Sequence, residues 1–120
     1  DHAYIGIWKT TVEDMHEPYV MPQDNGNCGG VKYLKLSDEC GNTFTVYGEP
    51  KFSFSFYNYT QKALDKAKHQ EELEYADTTF LSIDGFMRGT GTNTCGPDTL
   101  PKYVVKSDNP ISFRFAFKGE

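Results

Sequence analysis

The stretch Lys51-Phe52-Ser53-Phe54-Ser55-Phe56-Tyr57 alternates aromatic and polar side chains with strict period two. Successive side chains of an extended chain point to opposite faces, so Phe52, Phe54 and Phe56 share one face and Ser53, Ser55 and Tyr57 the other. A helix would scatter the same three rings around its axis. The stretch therefore predicts a strand with an aromatic face. A second stretch of the same kind lies near the end of the chain, where Ile111, Phe113, Phe115 and Phe117 fall on one face and Arg114 on the other. The two aromatic faces are expected to cover one another.

Working outward, Val31 to Leu36 and Thr43 to Tyr47 read as strands joined by a turn over Asp38 to Asn42, which carries Asp, Cys, Gly and Asn. Further extended segments are expected at Ala3 to Trp8, Thr10 to Glu13, Tyr19 to Met21, Phe80 to Ile83 and Tyr103 to Lys106. Thr60 is a good N-cap, and Ala63, Leu64 and Ala67 recur at helical spacing, which predicts one helix from Thr60 to about His69 or Glu72. Asp84 to Asp98 is a glycine-rich loop, and Ser107 to Pro110 a turn. Short strands with one helix and no βαβ alternation predict a mainly β fold, an antiparallel β-sandwich.

With 120 residues the chain is one domain or part of one. Its net charge of −5 comes with interspersed signs, and the Lys62, Lys66 and Lys68 group is ringed by Asp65, Glu71, Glu72 and Glu74. No basic stripe is present to neutralise phosphates, which argues against nucleic acid as a partner. The three cysteines, Cys28, Cys40 and Cys95, have no CxxC spacing. An odd count and wide spacing favour reduced thiols over a disulfide framework or a zinc site, with Cys28–Cys40 the pair that could close. No apolar run approaches the roughly 20 residues of a membrane span. Asn58-Tyr59-Thr60 has the form of a glycosylation triplet.

Candidate chemistry is sparse. Gly85, Gly89 and Gly91 could suggest a phosphate loop, but Asn93 to Pro97 follow where a helix N-terminus would be needed. Glycosidic hydrolysis needs two carboxyls about 5–5.5 Å apart, or about 6.5–9.5 Å for inversion. The adjacent pairs Glu13-Asp14, Asp38-Glu39 and Glu71-Glu72 diverge from one another. Asp24 and Asp84 could meet in space, yet Asp24 sits in a turn and Asp84, before Gly85, reads as a turn residue accepting backbone amides. His2, His16 and His69 are scattered, and Cys95 has no local base to lower its pKa. The residues assemble no catalytic site and no metal site.

Two motifs carry more. Pro18-Tyr19-Val20-Met21-Pro22-Gln23-Asp24-Asn25-Gly26-Asn27 leads through two prolines into a polar turn at Asn25-Gly26. Leu81-Ser82-Ile83-Asp84-Gly85-Phe86-Met87-Arg88-Gly89-Thr90-Gly91 follows downstream. In this order they resemble two motifs of the C-terminal, small-chain domain of the large bacterial β-galactosidases of glycoside hydrolase family 2. The resemblance covers nearly the whole chain and is to the C-terminal half of that domain, so residues 1–120 read as a single partial domain cut from a longer protein.

The resemblance implies a large two-layer supersandwich, similar in fold to sugar mutarotases. It implies that catalysis belongs to two glutamates on a separate barrel, that cations are bound elsewhere in the parent, and that this segment holds no cofactor. In the family a late glycine-rich loop places a tryptophan against the sugar. Here Gly89 and Gly91 match the outer glycines of that loop and Asn93 falls at its aspartate, but Cys95-Gly96-Pro97 stands in place of serine and tryptophan. Asn93, Thr94 and Cys95 are the implied sugar-site rim, and Asp84, Asn25 and Gly26 structural turn residues. The implied function is that of a non-catalytic segment of a cytoplasmic β-galactosidase acting on terminal β-D-galactosides. The expected partners are the rest of the parent chain and a galactoside, and the segment is expected either to pair with a second copy through opened strand edges or to show an exposed apolar face, with Trp8 and Ile5 in the contact. The rival readings are an independent carbohydrate-binding module, which needs a row of exposed aromatics, and a mutarotase-like epimerase, which needs a histidine and a carboxylate facing one pocket.

Overall fold

The computed structural model of the chain describes residues 5–16, 26–86, 96–106 and 108–120. The strands are β1 (Cys28–Ser37), β2 (Thr43–Tyr57), β3 (Phe80–Asp84) and β4 (Arg114–Gly119). One helix, α1 (Gln61–Lys66), and a 3₁₀ turn at Gln70–Glu72 lie between β2 and β3, and a second 3₁₀ turn, Pro101–Tyr103, precedes β4. The strands form one antiparallel sheet in the order β1-β2-β3, with β4 also pairing β2. Among the described residues this is the mainly β, antiparallel architecture with one short helix that the sequence predicts.

The expected turn at Asp38 to Asn42 joins β1 to β2. Asp38 N donates to Asn42 O at 3.1 Å and Gly41 N to Asp38 O at 3.2 Å. Gly41 takes φ +87°, a left-handed value that favours glycine. The strands expected at Thr43 to Tyr47 and Lys51 to Tyr57 are one continuous 15-residue strand. β4 bridges the interruption, since Phe44 to Glu49 pair with Gly119 to Arg114. Pro50 falls just beyond the last paired residue, so its missing N–H is not called on by β4.

The chain divides into two compact units, residues 1–29 with 54–83 and residues 30–53 with 84–120. In the first, Tyr57, Tyr59, Ala67 and Leu73 form a small core against which Ala63 and Leu64 pack. Thr60 caps α1 as expected, its Oγ1 accepting from Ala63 N at 3.1 Å. The helix stops at Lys66 and does not reach His69, with Ala67 already extended at ψ 133°. The core explains the early stop. Residues 67 and 73 would sit about 120° apart around a continued helix, yet both are buried here, at 3% and 7% exposure. Breaking at Ala67 and turning again at Gln70–Glu72 lets both reach the tyrosines, and Glu72 accepts the Lys68 amide at 3.0 Å. Asn58 is engaged as well. Its backbone carbonyl accepts from Ala76 N at 2.7 Å and its side chain from Thr79 Oγ1 at 3.3 Å.

Among the described residues, two extended segments expected near the start do not form. Val12 to Met15 is a turn, because the Thr11 hydroxyl accepts from Asp14 N at 3.1 Å and Glu13 O accepts from His16 N at 3.1 Å. Ile5 to Trp8 belongs to no strand. The expected stretch at Tyr19 to Met21 lies outside the described residues. A strand at Tyr103 to Lys106 is also replaced. Pro101 starts a 3₁₀ turn closed by Tyr103 N donating to Leu100 O at 2.8 Å, consistent with the fixed φ of proline at a first turn. The last strand is shifted, running from Arg114 to Gly119 where Ile111 to Phe117 was expected.

In β2 the period-two pattern buries Phe52, Phe54 and Phe56 at 2%, 6% and 7% exposure. Ser55 and Tyr57, on the alternate face, are buried too, at 3% and 8%. The end of β2 is therefore covered on both sides.

Candidate functional site

Three of the expected site residues, Asn93, Thr94 and Cys95, lie outside the described residues, as do Asn25 and Asp24. Gly26 has φ +62°, the left-handed conformation that a turn at Asn25-Gly26 requires. Asp84 is the half-buried last residue of β3, immediately before Gly85. Among the described residues no group of three His, Cys, Asp or Glu side chains could hold a metal ion. No helix there is long and apolar enough to cross a membrane. Cys40 is an exposed free thiol, so the Cys28–Cys40 bridge does not form.

An exposed apolar face is expected of the segment at Ile5 and Trp8, which are 107% and 75% exposed, but a further one lies where the sequence predicts cover, along Phe113, Phe115 and Phe117. In the second unit, antiparallel register places Val46 opposite Phe117 and Gly48 opposite Phe115. Directly opposed residues share a face, so β2 and β4 together have an apolar side built from Val46, Gly48, Phe115 and Phe117. The alternate side carries Thr45, Tyr47 and Glu49 opposite Lys118, Ala116 and Arg114. On that side Arg114 reaches Glu49 at 3.9 Å, both side chains being largely in water. Such a pair stabilises little. Near the strand end Lys118 also pairs with Glu120.

On the apolar side the rings form a continuous ribbon. Phe44 stacks on Phe117 at 5.4 Å between centroids, Phe117 meets Phe115 edge-on at 5.1 Å, and Phe115 stacks on Phe113 at 5.5 Å. Phe86 closes the row, edge-on to Phe113 at 6.4 Å. These separations are those of favourable aromatic pairs. Two glycines make room for neighbouring rings. A Cβ on Gly48 would stand 2.5 Å from Phe52 Cδ1, and one on Gly85 would overlap the Phe113 ring.

The ribbon remains open to solvent. Phe86, Phe113, Phe115 and Phe117 are 55%, 40%, 40% and 56% exposed. The expectation that the Phe113, Phe115 and Phe117 face is covered is thereby corrected. With a phenylalanine contributing 150–250 Å², the exposed parts amount to roughly 400 Å². That matches the largest apolar patch of an ordinary monomer. Covering it would stabilise by up to about 10 kcal/mol, as much as the whole folding free energy of many domains. The period-two pattern of Phe113, Phe115 and Phe117 was the signal for an apolar face, but such a pattern does not say what covers it.

The exposed rings do not resemble a carbohydrate platform. All five are phenylalanines, and the charged groups of β4 point to the opposite side. Small-ligand sites instead place a few polar groups among apolar ones. Of the aromatics considered for sugar stacking, Trp8 and Tyr33 are exposed but Tyr57 is buried. Tyr19 lies outside the described residues.

Comparison with known proteins gives a consistent result. The family model described as "Beta galactosidase small chain" matches residues 1–117. A β-galactosidase of Actinobacillus pleuropneumoniae is 40% identical over 116 residues, covering 96% of this chain and 11% of the relative. A β-galactosidase of Staphylococcus xylosus is 33% identical over 115 residues, with the same coverage of 96% and 11%. One from Halalkalibacterium halodurans is 32% identical over 115 residues, covering 94% of this chain and 11% of the relative. The chain thus spans about a tenth of the length of the curated relatives it matches.

Proposed function

The chain belongs to the β-galactosidase small-chain family, and from that premise we propose that it is a non-catalytic, structural segment of an enzyme hydrolysing terminal β-D-galactosides. The observation that carries this reading is the match itself. It runs along residues 1–117 of this chain but accounts for only 11% of a relative such as that of Actinobacillus pleuropneumoniae. A β-galactosidase is therefore expected to keep its chemistry in other parts of its polypeptide. The bare phenylalanine ribbon supports the same reading, since a segment built into a larger protein can leave such a face for its surroundings to cover.

Within the parent, the loop containing Asn93, Thr94 and Cys95 forms part of the rim of the sugar site, in a domain of supersandwich type. This rests on the likeness of the Asp84 to Asp98 loop to the family's late loop. Asp84 and Asn25-Gly26 serve as turn residues, a role in keeping with the φ of +62° at Gly26. Lacking an aromatic at Cys95, the rim forgoes stacking worth about 0.5–1.5 kcal/mol per ring.

The test compares hydrolysis of a chromogenic β-galactoside by the isolated chain, by the intact parent, and by the parent carrying Cys95→Trp. The isolated chain is expected to give no turnover. The Cys95→Trp parent is expected to keep its chemical step and to change its affinity for acceptor sugars. Turnover that follows the isolated chain through purification and is lost in Asp24→Asn or Asp84→Asn would overturn the structural assignment. Unchanged acceptor affinity would remove the loop from the rim.

A further inference from the structure

We propose that Tyr33 and Tyr47 form a platform for a neutral oligosaccharide on the side of the sheet opposite the phenylalanine ribbon. The platform rests on the β-galactosidase reading only for the choice of sugar in its test.

The register brings the two rings together. Asp38 N donates to Asn42 O at 3.1 Å, which sets these residues opposite one another at the turn. Counting away from them pairs Ser37 with Thr43, Lys35 with Thr45 and Tyr33 with Tyr47, and it matches the 10 residues of β1 to the start of β2. Burial follows the same count. Leu34 and Leu36, opposite Val46 and Phe44 on the ribbon side, are half-buried, whereas Tyr33 and Tyr47 are 47% and 48% exposed. On its other flank Tyr47 faces Ala116 of β4, too small to cover a ring. The tyrosines therefore lie side by side in the middle of three strands.

A pyranose offers a face of C–H bonds and a rim of hydroxyls, and this surface has partners for both. Directly opposed side chains stand about 5 Å apart at Cβ, close to the repeat of successive sugar rings, so each tyrosine can take one unit. The row on one side holds Glu49 and Arg114, and the row on the other holds Lys35 and Lys118 beside Thr45. These are donors and acceptors for hydroxyls, the polar groups that the phenylalanine ribbon lacks. The ions also select a neutral ligand. Glu49 is matched by Arg114 at 3.9 Å and Glu120 by Lys118. Among the described residues of these rows only Lys35 is left without an opposite charge, too little to hold a polyphosphate chain.

Affinity electrophoresis of the intact parent, through gels containing soluble β-1,4-galactan, tests the platform. An unhydrolysable thio-β-galactoside at saturating concentration keeps the active site occupied. The parent is expected to be retarded, and the Tyr33→Ala, Tyr47→Ala double variant to regain free mobility. Each single alanine variant should bind about twofold to tenfold more weakly, the worth of one stacked ring. Tyr33→Phe and Tyr47→Phe keep the stacking face and should remain retarded. Hydrolysis of a chromogenic β-galactoside should be unchanged in all of them, which shows that they fold.

Free mobility of the parent, or equal retardation of the parent and the double alanine variant, would overturn the proposal. Retardation by oligouridylate that is lost in the same variant would assign the rings to nucleic acid instead. Protection of both tyrosines from hydroxyl radicals in the parent without sugar would assign them to a neighbouring part of the protein. Each of these results leaves the hydrolysis assay untouched. A parent that hydrolyses no β-galactoside would instead sink the proposed function while the retardation could stand.

Discussion

Gly85 lies against the ring of Phe113. A Cβ built on Gly85 would overlap Phe113 Cγ and both Cδ atoms, so any side chain there displaces the ring. Phe113 in turn stacks on Phe115 at 5.5 Å and meets Phe86 edge-on. One missing methyl group, at the residue following β3, thus sets where the end of the ribbon can lie. The glycine is needed for space, because its φ is not among the positive values of this chain.

Gly85→Ala should therefore act by overpacking and destabilise the second unit by about 1–3 kcal/mol. Chemical denaturation of the isolated chain measures it. Combining it with Phe113→Ala should recover part of the loss, since the competing ring is gone. Additive losses in the double variant would show that Gly85 and Phe113 do not compete for the same space.

The β1–β2 turn should respond to acid through Asp38. Its carboxylate accepts from Asn42 Nδ2 at 2.6 Å and from Asn42 N at 2.8 Å. These bonds favour the ionised form, the side-chain one most, and hold the pKa below its ordinary value of 3.8. A group with a lowered folded pKa contributes stability above its unfolded value and loses it as pH falls through the folded one. The turn should accordingly stay intact at pH 3.8 and loosen only below that. Carboxyl titration by NMR should place the Asp38 midpoint below 3.8 and bring it upward in Asn42→Ala.

Thr60→Ala should weaken α1 by about 1 kcal/mol, the ordinary cost of losing an N-cap. The bond lost is the one from Ala63 N to Thr60 Oγ1 at 3.1 Å. Thr60→Ser keeps the hydroxyl and should melt close to the parent sequence. Equal melting of the alanine and serine variants would place the helix under the control of the tyrosine core alone.

Tyr59 should be the most sensitive position of the first unit. It is 2% exposed, lies 5.1 Å from the Tyr57 ring and 5.9 Å from the Tyr75 ring, and takes the edge of His16 at 6.3 Å. Tyr59→Ala should cost about 3–5 kcal/mol, as for other large aromatic truncations. Tyr75→Ala should cost much less, because Tyr75 is 53% exposed. A thermal melting series on the two variants gives the comparison, and a reversed order would relocate the core.

Features settled within a few residues are legible in the amino-acid order alone. Period two from Lys51 to Tyr57 made a strand, Asp38 to Asn42 made a turn, and Thr60 capped a helix, each through side-chain direction or a short-range hydrogen bond. The motifs at Pro18 to Asn27 and Leu81 to Gly91 were enough to indicate the family that residues 1–117 match. Where those features end depends on packing between distant segments. α1 stops at Lys66 because Ala67 and Leu73 both go to the tyrosine core, and Gly48 and Glu49 continue the strand because β4 pairs across them. Tertiary structure also decided the candidate site. Alternation made Phe113, Phe115 and Phe117 a face, but whether a face is covered depends on groups far away in sequence, and here the three residues stay about half exposed. Local periodicity is a property of neighbours, whereas burial is a property of whatever the rest of the chain brings to that surface.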